Sequence, residues 1–254
     1  RSSKLKNSPV LIRQLFDSES STYTYLVADT DAGVALLIDP VSEKLTSYIQ
    51  LLADLGLQLK YALDTHCHAD HITALGQLRD ITGCETLAGK PSEMACVGRF
   101  FGDGDILQLG SFVLWAIYTP GHTDDSYCLF LDGEQRAVFT GDTLLIRGTG
   151  RTDFQNGSSE ALYDSLFNKL LKLPDQTTVF PGHDYKGWTQ STILEERQSN
   201  PRLQVKSWQE LDSLLEQLKL MNPKLMDIAI PANKQCGKTS LSDAGLNFLT
   251  DKTV

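Results

Sequence analysis

Thr65-His66-Cys67-His68-Ala69-Asp70-His71 packs three histidines and a carboxylate into one short run, directly after Lys60 to Asp64, which reads as a β-strand. The chain has five histidines in all. The other two, His122 and His183, stand in the turns Thr119-Pro120-Gly121-His122 and Pro181-Gly182-His183-Asp184, again after apolar strands. A lone loop histidine is most simply a hydrogen-bonded residue. Here none is left over for an ordinary surface or core position, so the pattern points to a metal site.

The elements on either side place these turns. Upstream, Val10 to Phe16 and Tyr23 to Ala28 read as strands, and Val34 to Ile38 is a continuous apolar run, as expected of a strand buried on both faces. Asp39-Pro40 ends it. From Lys44 to Leu55 the positions Leu45, Ile49, Leu52 and Leu55 follow helical spacing, with Gly56 as the stop. Downstream, a helix is expected from about His71 to Thr82, closed by Gly83. A short strand is expected near Glu85 to Ala88, and Gly102 to Asp105 is a turn by composition. Phe112 to Tyr118, Tyr127 to Leu131 and Ala137 to Phe139 are further strands, the last running into Thr140-Gly141-Asp142. A helix over Ser159 to Leu173 aligns Leu162, Leu166, Leu170 and Leu173. Thr178 to Phe180 then delivers His183. Thr192 with Glu195, and Ser207 with Glu210, are capping boxes that open two later helices. The order predicts one α/β domain over residues 1–254, with a helical C-terminal extension from about residue 190.

Composition narrows the class. Hydrophobic content of 41% and charged content of 22% are those of an ordinary globular protein. A net charge of −9 argues against a nucleic-acid backbone as the main partner. The apolar runs are strand-sized, too short for a membrane helix. Arg1 to Ser8 is basic and lacks the apolar segment of a secretory signal. Five cysteines, an odd number with no paired spacing, favour a reduced compartment. Bacterial cytoplasm and mitochondrial matrix both fit.

Every candidate ligand sits where a strand ends, the position at which α/β sheets assemble their sites. Imidazole nitrogen and carboxylate oxygen together suit zinc, iron or manganese. His66, His68, Asp70 and His71 can serve one metal or two, with His122, Asp142 and His183 completing the set. Taken alone, Asp142 reads equally well as a turn cap.

Thr-His-Cys-His-Ala-Asp-His is a form of the H-x-H-x-D-H signature and resembles the metallo-β-lactamase superfamily. Gly121-His122, Gly141-Asp142 and Gly182-His183 match its remaining ligand turns. The resemblance implies an αββα sandwich, two mixed sheets face to face with helices outside. More specifically, Leu145 to Gln155 (Leu-Ile-Arg-Gly-Thr-Gly-Arg-Thr-Asp-Phe-Gln) resembles a segment of the persulfide dioxygenases of the ethylmalonic encephalopathy type. So do Phe16 with Ser21 to Tyr25, His183 to Gly187, Asn200-Pro201-Arg202-Leu203, and Ile230 to Asn233 with Cys236-Gly237.

That resemblance implies a non-haem Fe(II) enzyme with one iron per chain. Such an enzyme converts glutathione persulfide, with O2 and water, to sulfite and glutathione. It puts the iron on His66, His122 and Asp142, and leaves His68, Asp70, His71, His183 and Asp184 to hold water and orient those ligands. Arg151 is the implied anchor of a substrate carboxylate, a role its two-pronged guanidinium suits; a salt bridge to Asp153 or Asp184 is the competing reading. Tyr185 is the next candidate for glutathione contact. Family members are often dimers. Thr149 departs from the pattern, standing where many members carry a cysteine.

The main alternative is a glyoxalase II-like hydrolase of glutathione thiolesters, since all seven ligands of its two-metal site are present. The segment around Arg151 and the short, dissimilar tail weigh against it. A non-catalytic metal-binding module is the third reading; closed structural sites favour cysteine-rich sets, which this is not.

Overall fold

Tyr25 and Val27 pack with one group of buried side chains and their neighbours Leu26 and Ala28 with another. Side chains alternate across a strand, so a strand buried on both sides lies within a covered sheet. The computed structural model, which describes residues 8–238, shows two such sheets. The first runs β1 (Leu11–Asp17), β2 (Thr22–Asp29), β3 (Val34–Ile38), β4 (Gln58–Leu63), β5 (Glu85–Gly89), β6 (Arg99–Phe101). Its first two pairings are antiparallel and the rest parallel.

In the second sheet β7 (Ile106–Leu109), β8 (Phe112–Tyr118), β9 (Tyr127–Leu131) and β10 (Ala137–Gly141) form an antiparallel run. After a small hairpin, β11 (Leu144–Leu145) with β12 (Gly148–Thr149), the chain returns to this sheet. There β13 (Thr178–Pro181) lies parallel to β10 and β14 (Ser191–Thr192) antiparallel to β13.

Three apolar layers hold this together. Ile38, Leu63, Leu129 and Phe139 belong to the layer between the sheets. On the outer face of the first sheet, Leu37 and Ala62 meet Leu52 of α1 (Leu45–Leu55) and Leu75 and Leu78 of α2 (Leu75–Thr82). On the outer face of the second, Cys128 and Val138 meet Leu162 of α3 (Ser159–Asp164), Ile193 of α4 (Ile193–Ser199) and Leu211 of α5 (Trp208–Glu216). Each fully buried Leu or Phe contributes about 2 kcal/mol relative to exposure. The result is the helix–sheet–sheet–helix order expected. Thr192 and Ser207 cap α4 and α5 as their spacing predicts, each accepting from the backbone N–H three residues on. A last helix, α6 (Met226–Asn233), returns to the first sheet's side. Among the described residues no helix is long and apolar enough to cross a membrane.

Several expectations need correction. The helix expected from His71 begins only at Leu75, because the backbone before it bonds outward: Thr73 N–H to Asn233, Ala74 N–H to the Pro40 carbonyl. The Ser159–Leu173 helix changes pitch, loosening to a π-turn over Ser165–Lys169 and tightening over Leu170–Lys172. The Gly102–Asp105 turn is flanked by β6 and β7, two strands the composition did not reveal. Cys96 and Cys236, 140 residues apart, are joined as a disulfide, against the reading of the cysteines as unpaired thiols; Cys67, Cys84 and Cys128 are free and buried. The opening residues 1–7, and the part of the C-terminal extension beyond 238, lie outside the described residues.

Candidate metal centre

Four turns meet at one rim of the sandwich, after β4, β8, β10 and β13, bringing His66, His122, Asp142 and His183 from both sheets. The approach is close enough to restrict side chains. Gly141 has φ +50, and a Cβ there would stand 2.7 Å from Thr65 Oγ1.

His66, His122 and Asp142 can place one ligand atom each within 4.8 Å of the others. Asp142 Oδ2 is 3.6 Å from His66 Nε2 and 3.5 Å from His122 Nε2. The hydrogen-bond network orients both rings. His122 Nδ1 lies 2.7 Å from the Arg151 carbonyl, which can only accept, so Nδ1 carries a proton and Nε2 is the nitrogen turned to Asp142. Thr65 Oγ1 donates to Asp39 Oδ2 at 2.9 Å and therefore accepts from His66 Nδ1 at 3.1 Å. The His66 Nε2 also turns to Asp142. Burial holds His66 well below the ordinary histidine range, with Asp142 only partly opposing, so it is neutral as a metal ligand must be. Burial alone would raise the Asp142 carboxyl, but the His183 charge and hydrogen bond hold it well below the usual carboxylate range. Two imidazoles turning Nε2 to one carboxylate oxygen form an open donor set that fits a divalent transition metal.

The other predicted residues surround this trio. His183 bridges two carboxylates, Nδ1 to Asp142 Oδ1 at 2.6 Å and Nε2 to Asp70 Oδ2 at 2.7 Å. Both partners accept, so both nitrogens carry protons; burial disfavours that charge, and Asp142 and Asp70 outweigh it. His68 turns Nε2 to Asp39 Oδ1 at 2.9 Å, and that pairing outweighs burial and raises it to about 10. Asp70 also accepts at 3.0 Å from His71 Nδ1. His68 Nδ1 and His71 Nε2 are buried without a partner among the described residues, and His68, Asp70 and His71 form a second group able to converge on an ion. Asp184 caps its own turn, accepting from the Lys186 and Trp188 N–H groups.

The trio opens into a cavity of about 480 Å³, in the range of small-molecule sites. Arg151 lines it, but its fork is committed to Asp153, and Nη1 donates to the Met221 carbonyl at 2.7 Å. The competing salt-bridge reading is therefore realised, with Asp153. Tyr185 lines the same cavity, largely exposed, its ring stacked parallel to that of His183 at 6.1 Å. Arg202, of the Asn200-Pro201-Arg202-Leu203 motif, is a further lining cation to which the sequence alone assigns no role. It donates from Nη1 to the carbonyl and hydroxyl oxygens of Thr149, the residue in the cysteine's place.

Two positioning residues also went unread. Asp39, which in the sequence marks only a strand stop, is buried at φ +54 and accepts from Thr65 N–H, Thr65 Oγ1 and His68 Nε2. Asn233, fully buried on α6, donates to the carbonyls of His68 and His71 and accepts from Thr73 N–H. Its signal was a polar residue in an otherwise apolar Ile-Pro-Ala-Asn stretch.

Known proteins resemble this chain in sequence and in fold. Residues 18–183 match the metallo-beta-lactamase superfamily model. The mitochondrial persulfide dioxygenase ETHE1 of Mus musculus is 46% identical over 231 residues, 91% of this chain and 90% of that protein. The crystal structure of ETHE1 from Myxococcus xanthus has a TM-score of 0.86 and 50% identity, covering 90% of this chain and 100% of that one. A hydroxyacylglutathione hydrolase of Pelagibacter ubique is more distant, 32% identical over 77% of this chain and 79% of its own. The chain belongs to the metallo-beta-lactamase superfamily and, within it, to the persulfide dioxygenase ETHE1 family.

Proposed function

We propose that this protein is an iron-dependent dioxygenase that oxidises glutathione persulfide, with O2 and water, to sulfite and glutathione. The observation that carries the reading is the convergence of His66 Nε2 and His122 Nε2 on Asp142 Oδ2 at the base of an open cavity. Fe(II), one per chain, would be held there by His66, His122 and Asp142 and would supply the redox chemistry, two imidazoles and a carboxylate being a donor set suited to it. The electron count closes: the outer persulfide sulfur gives up four electrons on becoming sulfite, one O2 accepts them, and water provides the third sulfite oxygen.

The chain's own residues bind and orient. Thr65 and the Arg151 carbonyl fix the two imidazoles through their Nδ1 protons, a restraint that sets ligand direction and basicity. His183 occupies the second oxygen of Asp142, leaving the first for the ion. His68, Asp70, His71 and Asp184 hold the turns in place. Arg151, Arg202 and Tyr185 contact the glutathione portion. A substrate carboxylate reaching Arg151 shares or replaces Asp153, whereas Arg202 donates only from Nη1 among the described residues and has donors to spare. The working unit is read as a single domain with a helical C-terminal extension, a homodimer, in mitochondrial matrix or bacterial cytoplasm.

Iron-loaded protein given glutathione persulfide should consume O2 and release sulfite, and metal analysis should find about one iron per chain. Full iron loading without oxygen uptake refutes the reading. One observation favours a second: the unpartnered nitrogens of His68 and His71, with Asp70, suit the second ion of a binuclear thiolester hydrolase. Two metals per chain, with hydrolysis of an acylated glutathione and no oxygen uptake, would establish that alternative.

A further inference from the structure

The turn carrying the metal ligands rests on a segment that has little apolar packing of its own. In α6 only Ala229, Ala232 and Asn233 are buried, while Ile228 is more than half exposed. Hydrogen bonds add to the packing of Ile230 and Cys236. Asn233 Nδ2 donates to the carbonyls of His68 and His71 at 2.9 and 2.8 Å, and Gly76 N–H donates to the Cys236 carbonyl at 3.0 Å. Gly237 lies so close that a Cβ would stand 2.0 Å from the Thr73 carbonyl oxygen. Ahead of α6, Leu220, Met221 and Pro223 line the mouth of the cavity. The same stretch of chain therefore lines the cavity and braces the His66 turn.

One covalent bond fastens this stretch at its far end, the disulfide from Cys236 to Cys96. Cys236 is fully buried, whereas Cys96 is only partly so and is the sulfur that solvent reaches first. Cys96 sits on the loop between β5 and β6, which Arg79 of α2 also holds through the Cys96 carbonyl.

We propose that the Cys96–Cys236 pair is a redox-controlled clamp on the metal turn. Oxidised, it pins residues 229–237 beneath residues 66–76; reduced, it lets that brace detach and loosens the His66 turn. The reductant is a dithiol. Its thiolate attacks Cys96 Sγ, forming a mixed disulfide, and Cys236 leaves as a thiolate that takes up a proton. The second thiol of the reductant then displaces Cys96. Two electrons and two protons pass to the pair, and the dithiol becomes a disulfide.

The proposal rests on the reading of His66 as a metal ligand, but two of its three readouts need no metal. Thiol titration of the unfolded, unreduced protein should find three thiols, rising to five on reduction, in line with three free cysteines and one pair. Amide exchange at Thr73 and Gly76 should quicken about tenfold on treatment with dithiothreitol, a local opening worth one decade in equilibrium. Release of the bound metal to a chelator should quicken with it. Cys96→Ser should behave like the reduced protein whether or not reductant is present. Five thiols before reduction, or unchanged exchange at both amides after it, would overturn the clamp. Faster exchange with unchanged metal release would also overturn it, since the brace would then be uncoupled from the ligands.

Discussion

Arg151 and Asp153 form a two-point ion pair, Nε to Oδ1 at 2.6 Å and Nη2 to Oδ2 at 2.8 Å, on the wall of the metal cavity. The same guanidinium reaches the Met221 carbonyl, so one side chain ties the cavity wall to the segment at its mouth. Arg151→Ala should raise KM for glutathione persulfide by about tenfold, the scale of one lost charge-assisted hydrogen bond. Metal content should stay unchanged, because His122 is held by the Arg151 main-chain carbonyl, which the substitution keeps. Steady-state oxygen uptake with parallel metal analysis separates the two effects. Loss of metal would show that the side chain acts on the ligands.

Gly150 is wedged between two ligand turns. A Cβ there would lie 2.1 Å from the Asp142 carbonyl oxygen and 2.7 Å from His122 Nδ1. Gly150→Ala must push one turn aside, and a ligand displaced by about 1 Å costs on the order of a hundredfold in rate. Metal occupancy should fall with activity while the far-ultraviolet circular dichroism stays that of the parent. An active, fully loaded variant would show that the turns yield without cost.

Glu196 is completely buried and takes both the backbone N–H and the guanidinium of Arg147, on the cavity wall. Glu196→Ala removes buried charge-assisted hydrogen bonds but leaves Arg147 partly exposed and paired with Glu195, a loss of about 1.5–3 kcal/mol. The midpoint of urea unfolding should drop accordingly, with an unchanged slope.

Asp29 ties the sheets together, leaving the end of β2 to accept from Ser111 N–H and Oγ in the turn after β7. The Ser111 backbone hydrogen bond, aided by that of Ala32, lowers its carboxyl below the ordinary value. A depressed carboxylate stabilises the fold above its unfolded pKa of about 4 and ceases to as pH falls through the folded value. Asp29→Asn should therefore be less stable than the parent at neutral pH. The gap should close below about pH 4. Urea titrations at several pH values test it, and a gap independent of pH would mean the carboxylate charge is irrelevant there.

How far residues spoke for themselves depended on whether the signal was local. Val34 to Ile38 read as a doubly covered strand because apolar side chains on both faces have one simple explanation, and β3 is that strand. The five histidines announced a site because imidazoles at strand ends converge. Which nitrogen faces the ion was invisible, since it depends on Arg151 and Thr65 partners fixed only by the folded chain. Asp39 was missed because a positive-φ aspartate before proline looks like any turn. The Cys96–Cys236 pairing was missed because 140 residues separate its halves and spacing rules see only neighbours. Arg151 shows a different limit: its chemistry suggests a substrate contact, and only the folded chain shows that the same fork also pairs with Asp153 two residues along.

His66 arrives from one sheet and Asp142 from the other, and the described ligand turns share a single rim of the sandwich. An ion gripped there works as a rivet between two plates. Protein stripped of metal should melt at a lower temperature, and stability should rise with the logarithm of added metal, as mass action requires. Reciprocally, a change deep between the plates, far from any ligand, should register first as a looser hold on the ion.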